Sequence, residues 1–394
     1  MILYIKKDYV NNDIEVYHEM IKILFLIPNL GHGGAEKVLV NLVNNLDKSI
    51  FDITLMSLYD EGVNRKFLSK EIHYLFWMKH SFPGVSHIMK IFSPKFLYNH
   101  CIRGSYNIVI SYLEGQTARI VSGCRDASVK KVCWIHRTME SLSDAAHSFR
   151  SRNEAVRCYS NFDYIVSVSE DVKKAFESAL TLRNKGAVLY NTNESDLIKE
   201  LSKEEVEEQD IYNNSDFKIC AMGSLVPIKG FERLINIHRK LKNDGYLVHT
   251  YILGEGEEKN KLECLINDNN LSNSISLLGY KENPYKYLAK CDLFVCSSYS
   301  EGFSTAVTEA LILGIPVVTT YVSGMTELLG DNEYGIITSN DEISLYEAIK
   351  LLINDEKKYK QYCIKARERG KVFSKEQTVK AVENFLIRLS NPKA

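Results

Sequence analysis

One pattern limits what this chain can become more than any other. Short apolar runs without helical period recur along it, each followed by a turn-forming loop and then by a stretch with helical spacing. In the first half the runs are Ile21–Ile27, Phe51–Leu58, Ile72–Phe76, Tyr106–Tyr112, Lys131–Ile135, Tyr164–Val168 and Val188–Tyr190. In the second they are Phe217–Met222, Val248–Leu253, Ile275–Leu278, Leu293–Cys296, Ile315–Thr320 and Gly335–Ile337. Strand, loop and helix repeated in this order build parallel sheets covered on both faces, since a parallel neighbour can be reached only by a long crossover. The polar, acidic stretch TNESDLIKELSKEEVEEQDIYNNSD (192–216) interrupts the alternation and reads as a linker with a short helix. The expected fold is α/β: two doubly wound, Rossmann-like domains, 21–191 and 217–374, facing each other across a cleft.

Composition agrees with two ordinary globular domains. The chain has 394 residues, a formal net charge of -1 and 45% hydrophobic residues, so nothing suggests wholesale binding of a polyanion. No apolar run is long enough to span a bilayer. Its 9 Cys are scattered without a C-x-x-C pair, which points to neither a disulfide framework nor a zinc site and suits a reducing cytoplasm. The opening MILYIKKDYV is too short and too mixed for a secretory signal. Met20 stands directly before the first convincing strand. Residues 1–20 are therefore either an extension upstream of the true start or an extra element at the domain edge.

Chemistry concentrates at the loops after the strands. Pro28–Glu36 (PNLGHGGAE) follows the first run and precedes an amphipathic helix with apolar Val38, Leu39, Leu42, Val43 and Leu46. Gly33 and Gly34 let a ligand approach the backbone there, although a tight βα turn would also use them. His136 lies at the tip of Lys131–Ile135, on the crevice side of such a sheet. In the second half Gly223-Ser224-Leu225-Val226-Pro227-Ile228-Lys229-Gly230 puts Lys229 where a diphosphate could be paired. The stretch CDLFVCSSYSEGFSTAVTEALILGIPVVTT (291–320) reads as strand, loop, helix, strand, with Gly314 at the C-cap position. Glu301 and Glu309 bracket its turn, and Gly302, Phe303, Ser304 and Thr305 offer backbone N–H groups at the helix start.

This ordered set resembles the retaining glycosyltransferases of family 4, which have the GT-B fold, over nearly everything from Ile21 onward. Gly33-Gly34-Ala35-Glu36 looks like the family's acceptor-side loop, Gly223–Gly230 its phosphate loop, Leu253–Gly256 its small glycine turn. Glu301 and Glu309 carry its paired-glutamate spacing. The resemblance implies that Glu301 holds donor-sugar hydroxyls with the backbone of Gly302, Phe303, Ser304 and Thr305. It implies further that Glu309 binds the ribose, Lys229 neutralises the departing diphosphate, and His136 contacts the sugar near the reacting carbon. One position departs: Ser224 stands where the family commonly has Arg, leaving Lys229, helix-end amides, Arg137 or another residue to supply the missing charge. A final helix in 375–394 would cross back to the first domain.

The implied reaction is metal-independent transfer, without a cofactor, from a nucleotide sugar, UDP-linked in the first instance, to a glycan or lipid-linked glycan of a bacterial surface polysaccharide. A GDP-sugar (mannosyl) transferase, a nucleotide-sugar epimerase of the same fold and a non-catalytic carbohydrate-binding relative are the alternatives. No Asp-x-Asp motif adjoins a candidate phosphate loop, and no nucleic-acid partner is suggested. Between Glu71 and Glu114 there is no acidic residue, whereas Lys79, Lys90, Lys95, Arg103 and the aromatics Phe76, Trp77, Phe82, Phe92, Phe96 and Tyr98 fall there. Segment 72–113 could thus dock on an anionic membrane, peripherally on the cytoplasmic face of the inner membrane, or simply pack on the sheet with solvated lysines.

Overall fold

A computed structural model of the chain describes residues 20–31, 33–182, 186–206 and 216–390. The extension 1–19, part of the linker (207–215) and the tail 391–394 lie outside the described residues. Seven parallel strands form the first sheet: β1 (Ile21–Ile27), β2 (Phe51–Tyr59), β3 (His73–Met78), β4 (Ile108–Ser111), β5 (Lys130–Ile135), β6 (Tyr164–Ser167) and β7 (Gly186–Val188), in the order β3-β2-β1-β4-β5-β6-β7. Six form the second: β8 (Phe217–Met222), β9 (Val248–Leu253), β10 (Ile275–Gly279), β11 (Leu293–Cys296), β12 (Val317–Thr320) and β13 (Ile336–Thr338), ordered β10-β9-β8-β11-β12-β13. Central strands are buried on both faces, which is why their sequences are continuously apolar rather than alternating. The strand order reverses between β1 and β4 and again between β8 and β11, so each domain has one crevice at its strand C-termini. These are the two doubly wound domains that the alternation implied.

Strand limits differ from the sequence reading where backbone chemistry intervenes. The run Ile315–Thr320 enters the ladder only at Val317, because Pro316 has no N–H to donate; its carbonyl still accepts from Phe294. β7 begins two residues before Val188 and ends there, with Leu189 N–H still bonded to Ser167. At the sheet edge β3 runs on to Met78. Segment 192–216 is less of a free connector than its composition suggests. Asn191, Thr192, Asn193 and Ser195 are buried, and Ile198 of the helix Ser195–Leu201 packs with Tyr285 and Ile312 of the second domain.

Aromatic packing and one long helix join the domains. Phe303 stacks on Tyr190 with ring centroids 5.2 Å apart, and Phe373 closes the cluster at 5.8 Å from Phe303 and 5.6 Å from Tyr190. The last helix, Lys375–Ser390, buries Val379, Val382, Phe385 and Leu386. Its Phe385 meets Tyr164 of β6 edge to face at 5.6 Å, and its Glu383 accepts from Asp47 N–H at 2.8 Å. The C-terminal segment therefore rests on the first domain.

Candidate active site

The site begins with a helix that cannot face water. Thr305–Leu313 is apolar nearly all round and buries Val307, Thr308, Ala310, Leu311 and Ile312, so Glu309 enters the interior with it. Ser304 caps its start, accepting from Val307 N–H at 3.4 Å, and Gly314 ends it at φ 74, a left-handed conformation that suits glycine. At the turn before it, Glu301 Oε1 accepts from Lys229 Nζ at 2.6 Å and from Ser298 Oγ at 2.6 Å. Lys229 closes the short turn Pro227–Lys229 after β8, and its side chain passes within 3.8 Å of where a Cβ on Gly223 would sit. Ser224 is exposed and adds no charge. The glycine turn after β9 is structural: a Cβ on Gly254 would fall 1.8 Å from the Gly223 carbonyl oxygen.

Glu309 is 5% exposed and so is not a solvated helix charge. Its Oε1 accepts from Lys37 Nζ of the first domain at 2.7 Å and from the Tyr285 hydroxyl at 3.0 Å. Burial pulls the Lys37 ammonium down, but the Glu309 carboxylate and the Tyr285 hydroxyl outweigh it and its pKa is raised.

The first domain forms the opposite wall. Gly33 starts the helix Gly34–Asn45 without a side-chain cap, and the Glu36 carboxylate folds back over it, 2.1 Å from where a Gly33 Cβ would lie. Burial raises the Glu36 pKa, against its own backbone hydrogen bond. Gly34 faces Thr305 across the cleft: a Cβ there would meet Thr305 Oγ1 at 3.4 Å. His136 lies 4.7 Å from the Tyr112 ring, and its Nε2 is buried with no hydrogen-bond partner among the described residues. Burial lowers its pKa to about 3, so the imidazole is neutral at physiological pH. Arg137 is 3.2 Å from Glu114 and 2.8 Å from Asp144, so as a stand-in for the family arginine it would have to leave two carboxylates.

The walls also meet where hydroxyl side chains of the first domain reach backbone of the second. Thr138 Oγ1 donates to the Glu301 carbonyl at 3.2 Å and Ser169 Oγ to that of Gly302 at 3.3 Å. A Cβ on Gly302 would sit 2.1 Å from the His136 carbonyl oxygen. The fold thus assembles Gly33, Gly34, His136, Glu301, Gly302, Ser304, Thr305 and Glu309 around one interdomain seam, with Gly223, Ser224 and Lys229 on the β8 side. The Phe303 side chain points instead into the aromatic cluster between the domains. Sequence reasoning missed Lys37, Tyr285 and Ser298. Lys37 is 272 positions from Glu309, and in the sequence it looks like any polar-face helix lysine. Chemically the seam offers two carboxylates that can accept hydroxyls, each backed by a lysine, and a neutral imidazole. Among the described residues no group of three or more His, Cys, Asp or Glu could hold a metal ion.

Comparison with known proteins agrees with this architecture. Residues 202–369 match the family model described as "Glycosyl transferases group 1". Over 390 residues the chain is 29% identical to the N-acetylgalactosamine-N,N'-diacetylbacillosaminyl-diphospho-undecaprenol 4-alpha-N-acetylgalactosaminyltransferase of Campylobacter jejuni, covering 93% of this chain and 100% of that one. Among solved structures, the Anabaena protein HepE with UDP superposes with a TM-score of 0.75 at 19% identity, covering 93% of this chain and 100% of HepE. Its complex with UDP-glucose gives 0.73 at 20% identity, covering 93% and 98%. Residues 202–369 are thus similar to the glycosyl transferases group 1, and the chain that carries them has the GT-B fold.

Proposed function

We propose that this protein transfers a sugar, with retention at the anomeric carbon, from a UDP-linked donor to a hydroxyl of a lipid-linked glycan used for a bacterial surface polysaccharide. The observation that carries this is Lys229 held at 2.6 Å on Glu301, beside a buried Glu309, at the switch point of the second domain. In this mechanism Glu301 takes hydroxyls of the donor sugar and Glu309 those of the ribose. Lys229 is released from Glu301 toward the diphosphate as that group gains charge. The bond from the anomeric carbon to the diphosphate oxygen breaks, and the acceptor oxygen bonds to the same face. The acceptor proton passes to the departing diphosphate. No protein nucleophile and no metal take part. His136, neutral and with a free Nε2, accepts a sugar hydroxyl near the reacting carbon without adding charge.

The nucleotide is suggested by the UDP and UDP-glucose complexes of HepE, and the acceptor class by the diphospho-undecaprenol substrate in the Campylobacter relative's name. Retention would carry an α-linked sugar nucleotide to an α-linked product such as that name describes. No helix among the described residues is long and apolar enough to cross a membrane, so a lipid-linked acceptor would be met by peripheral docking of segment 72–113 on the cytoplasmic face. A panel of UDP- and GDP-sugars, offered with and without an undecaprenyl-diphosphate glycan, tests the reading, with product configuration read by NMR. The expected result is one UDP-sugar consumed only with acceptor and an α-linked product. Turnover without acceptor would mean an epimerase, and an inverted product would overturn the mechanism.

A further inference from the structure

The buried carboxylate of the nucleotide side is held from the other domain. Lys37 lies one turn into the first helix, just past the glycine loop, and reaches across the seam. Its Nζ donates to the Tyr285 hydroxyl at 2.6 Å and to Glu309 Oε1 at 2.7 Å, and the Tyr285 hydroxyl donates to the same oxygen at 3.0 Å. Oε2 takes no part in these contacts. The Glu309 side chain is 6% exposed and that of Lys37 41%, so the carboxylate sits inside and its counter-ion comes from the solvent edge. A buried carboxylate without its partner is strongly unfavourable. Were the cleft to open, the pair would separate and water would take the place of Lys37 around Glu309.

We infer that Lys37 is a positioning residue for the nucleotide: it fixes Glu309 through Oε1, leaves Oε2 for the ribose hydroxyls, and so makes nucleotide binding depend on the first domain. This rests on the nucleotide-sugar reading above. A ligand shifts a conformational equilibrium only if it binds one state better. Here the difference has a cause. With Lys37 in place the carboxylate is oriented and shielded from water, and hydroxyls donating to it form stronger charge-assisted bonds than they would in the open, hydrated cleft. The ribose thereby favours closure, and closure favours the ribose. No residue of the first domain need touch the nucleotide for this coupling to operate.

Calorimetric titration of UDP and of 2′,3′-dideoxy-UDP into wild type, Lys37→Met, Lys37→Arg and Tyr285→Phe separates this role from others. Lys37→Met should weaken UDP binding about tenfold, the size typical of a charge-assisted hydrogen bond. It should leave the weaker dideoxy ligand unchanged, because that ligand offers Glu309 nothing. Lys37→Arg should recover most of the loss, and Tyr285→Phe should repeat the pattern more weakly, serving also if Lys37→Met does not fold. Equal losses for both ligands would mean that Lys37 meets the diphosphate or only supports the fold, and would overturn the inference. So would no loss for either. If wild type binds neither UDP nor GDP, the nucleotide-sugar reading itself fails and takes this inference with it.

Discussion

At the scale of single residues, the two glutamates do different work, and their removal should differ in kind. Glu309→Gln puts a neutral amide against Lys37 in a buried place, and nucleoside diphosphate affinity should fall by about 1.5–3 kcal/mol. Glu301→Gln instead frees Lys229 from its 2.6 Å contact, so affinity for the bare diphosphate should hold or rise slightly while transfer drops about a hundredfold. Calorimetry beside a transfer assay reads both; normal transfer by Glu301→Gln would remove the main support for the proposed mechanism. Histidine protonation adds a stability test. Burial lowers the pKa values of His136 and His238 from 6.5 to about 3, so as pH falls through 6.5 the unfolded chain takes up protons that the folded chain refuses. Stability from these groups is complete above 6.5 and lost toward 3, with a limiting slope of about 1.4 kcal/mol per pH unit for each. Glu36, Glu114 and Glu327, raised by burial, act in the opposite sense above 4.5. Denaturant midpoints of wild type against His136→Asn isolate one imidazole. The variant should lose less stability on acidification, and identical slopes would refute the assignment.

Among elements, the seam is made by helix starts and strand tips, with side chains of one domain bonded to backbone of the other. Asp171, in the first turn of the helix Glu170–Leu180, accepts from Gly324 N–H at 3.2 Å at the start of Met325–Leu329. In return Glu327 of that second helix accepts from Glu170 N–H at 2.7 Å. Each domain thus lends a carboxylate to a helix N-terminus of the other, where the helix dipole favours it. Gly302 is the tightest point, since the His136 carbonyl it faces is backbone and cannot rotate aside. Gly302→Ala should cost the closed arrangement about 1–3 kcal/mol, in the range of overpacked interiors, without unfolding either sheet. Small-angle scattering should show a wider molecule with unchanged circular dichroism and reduced transfer. An unchanged radius with full activity would mean that the seam is not the working arrangement.

In the molecule as a whole, the acid-free segment carries a run of exposed apolar side chains. The helices Val85–Ile91 and Pro94–Cys101 leave Ile88, Ile91, Phe92 and Phe96 exposed, Ile91 to 72%. They are anchored from beneath: buried Arg119, paired with Glu154, donates to the Met89 and Phe92 carbonyls at 2.9 and 2.7 Å. Apolar side chains on a firmly held pair of helices, with Lys95 in the second and Arg103 just after it, are what the proposed docking on an anionic bilayer would use. Replacing Lys79, Lys90, Lys95 and Arg103 by Gln should reduce co-sedimentation with phosphatidylglycerol vesicles several-fold at low salt, with a smaller difference at high salt. Equal sedimentation of both proteins would sink the idea. Lys90 has a second task, donating to the His147 carbonyl at 2.7 Å, so circular dichroism of the variant belongs with the assay.

What the sequence determined by itself was local and periodic. Apolar runs separated by helical spacing dictate parallel strands, because each run must be buried on both faces and only crossover helices can cover it. Loops at strand ends, the Gly314 stop and the spacing of Glu301 and Glu309 follow from the same short-range rules. Tertiary structure decided the partners. That Glu309 meets Lys37, that Arg137 is held between Glu114 and Asp144, and that Gly302 exists to admit the His136 carbonyl all depend on how two separately wound domains come together. An ion pair between positions 272 apart leaves no period or spacing in the chain, since it is set by the geometry of the seam rather than by either helix alone. Lys229 and Glu301 lie within one domain, but 72 positions apart; each could be singled out in the sequence, and the adjacency of β8 and β11 in the sheet is what made them a pair.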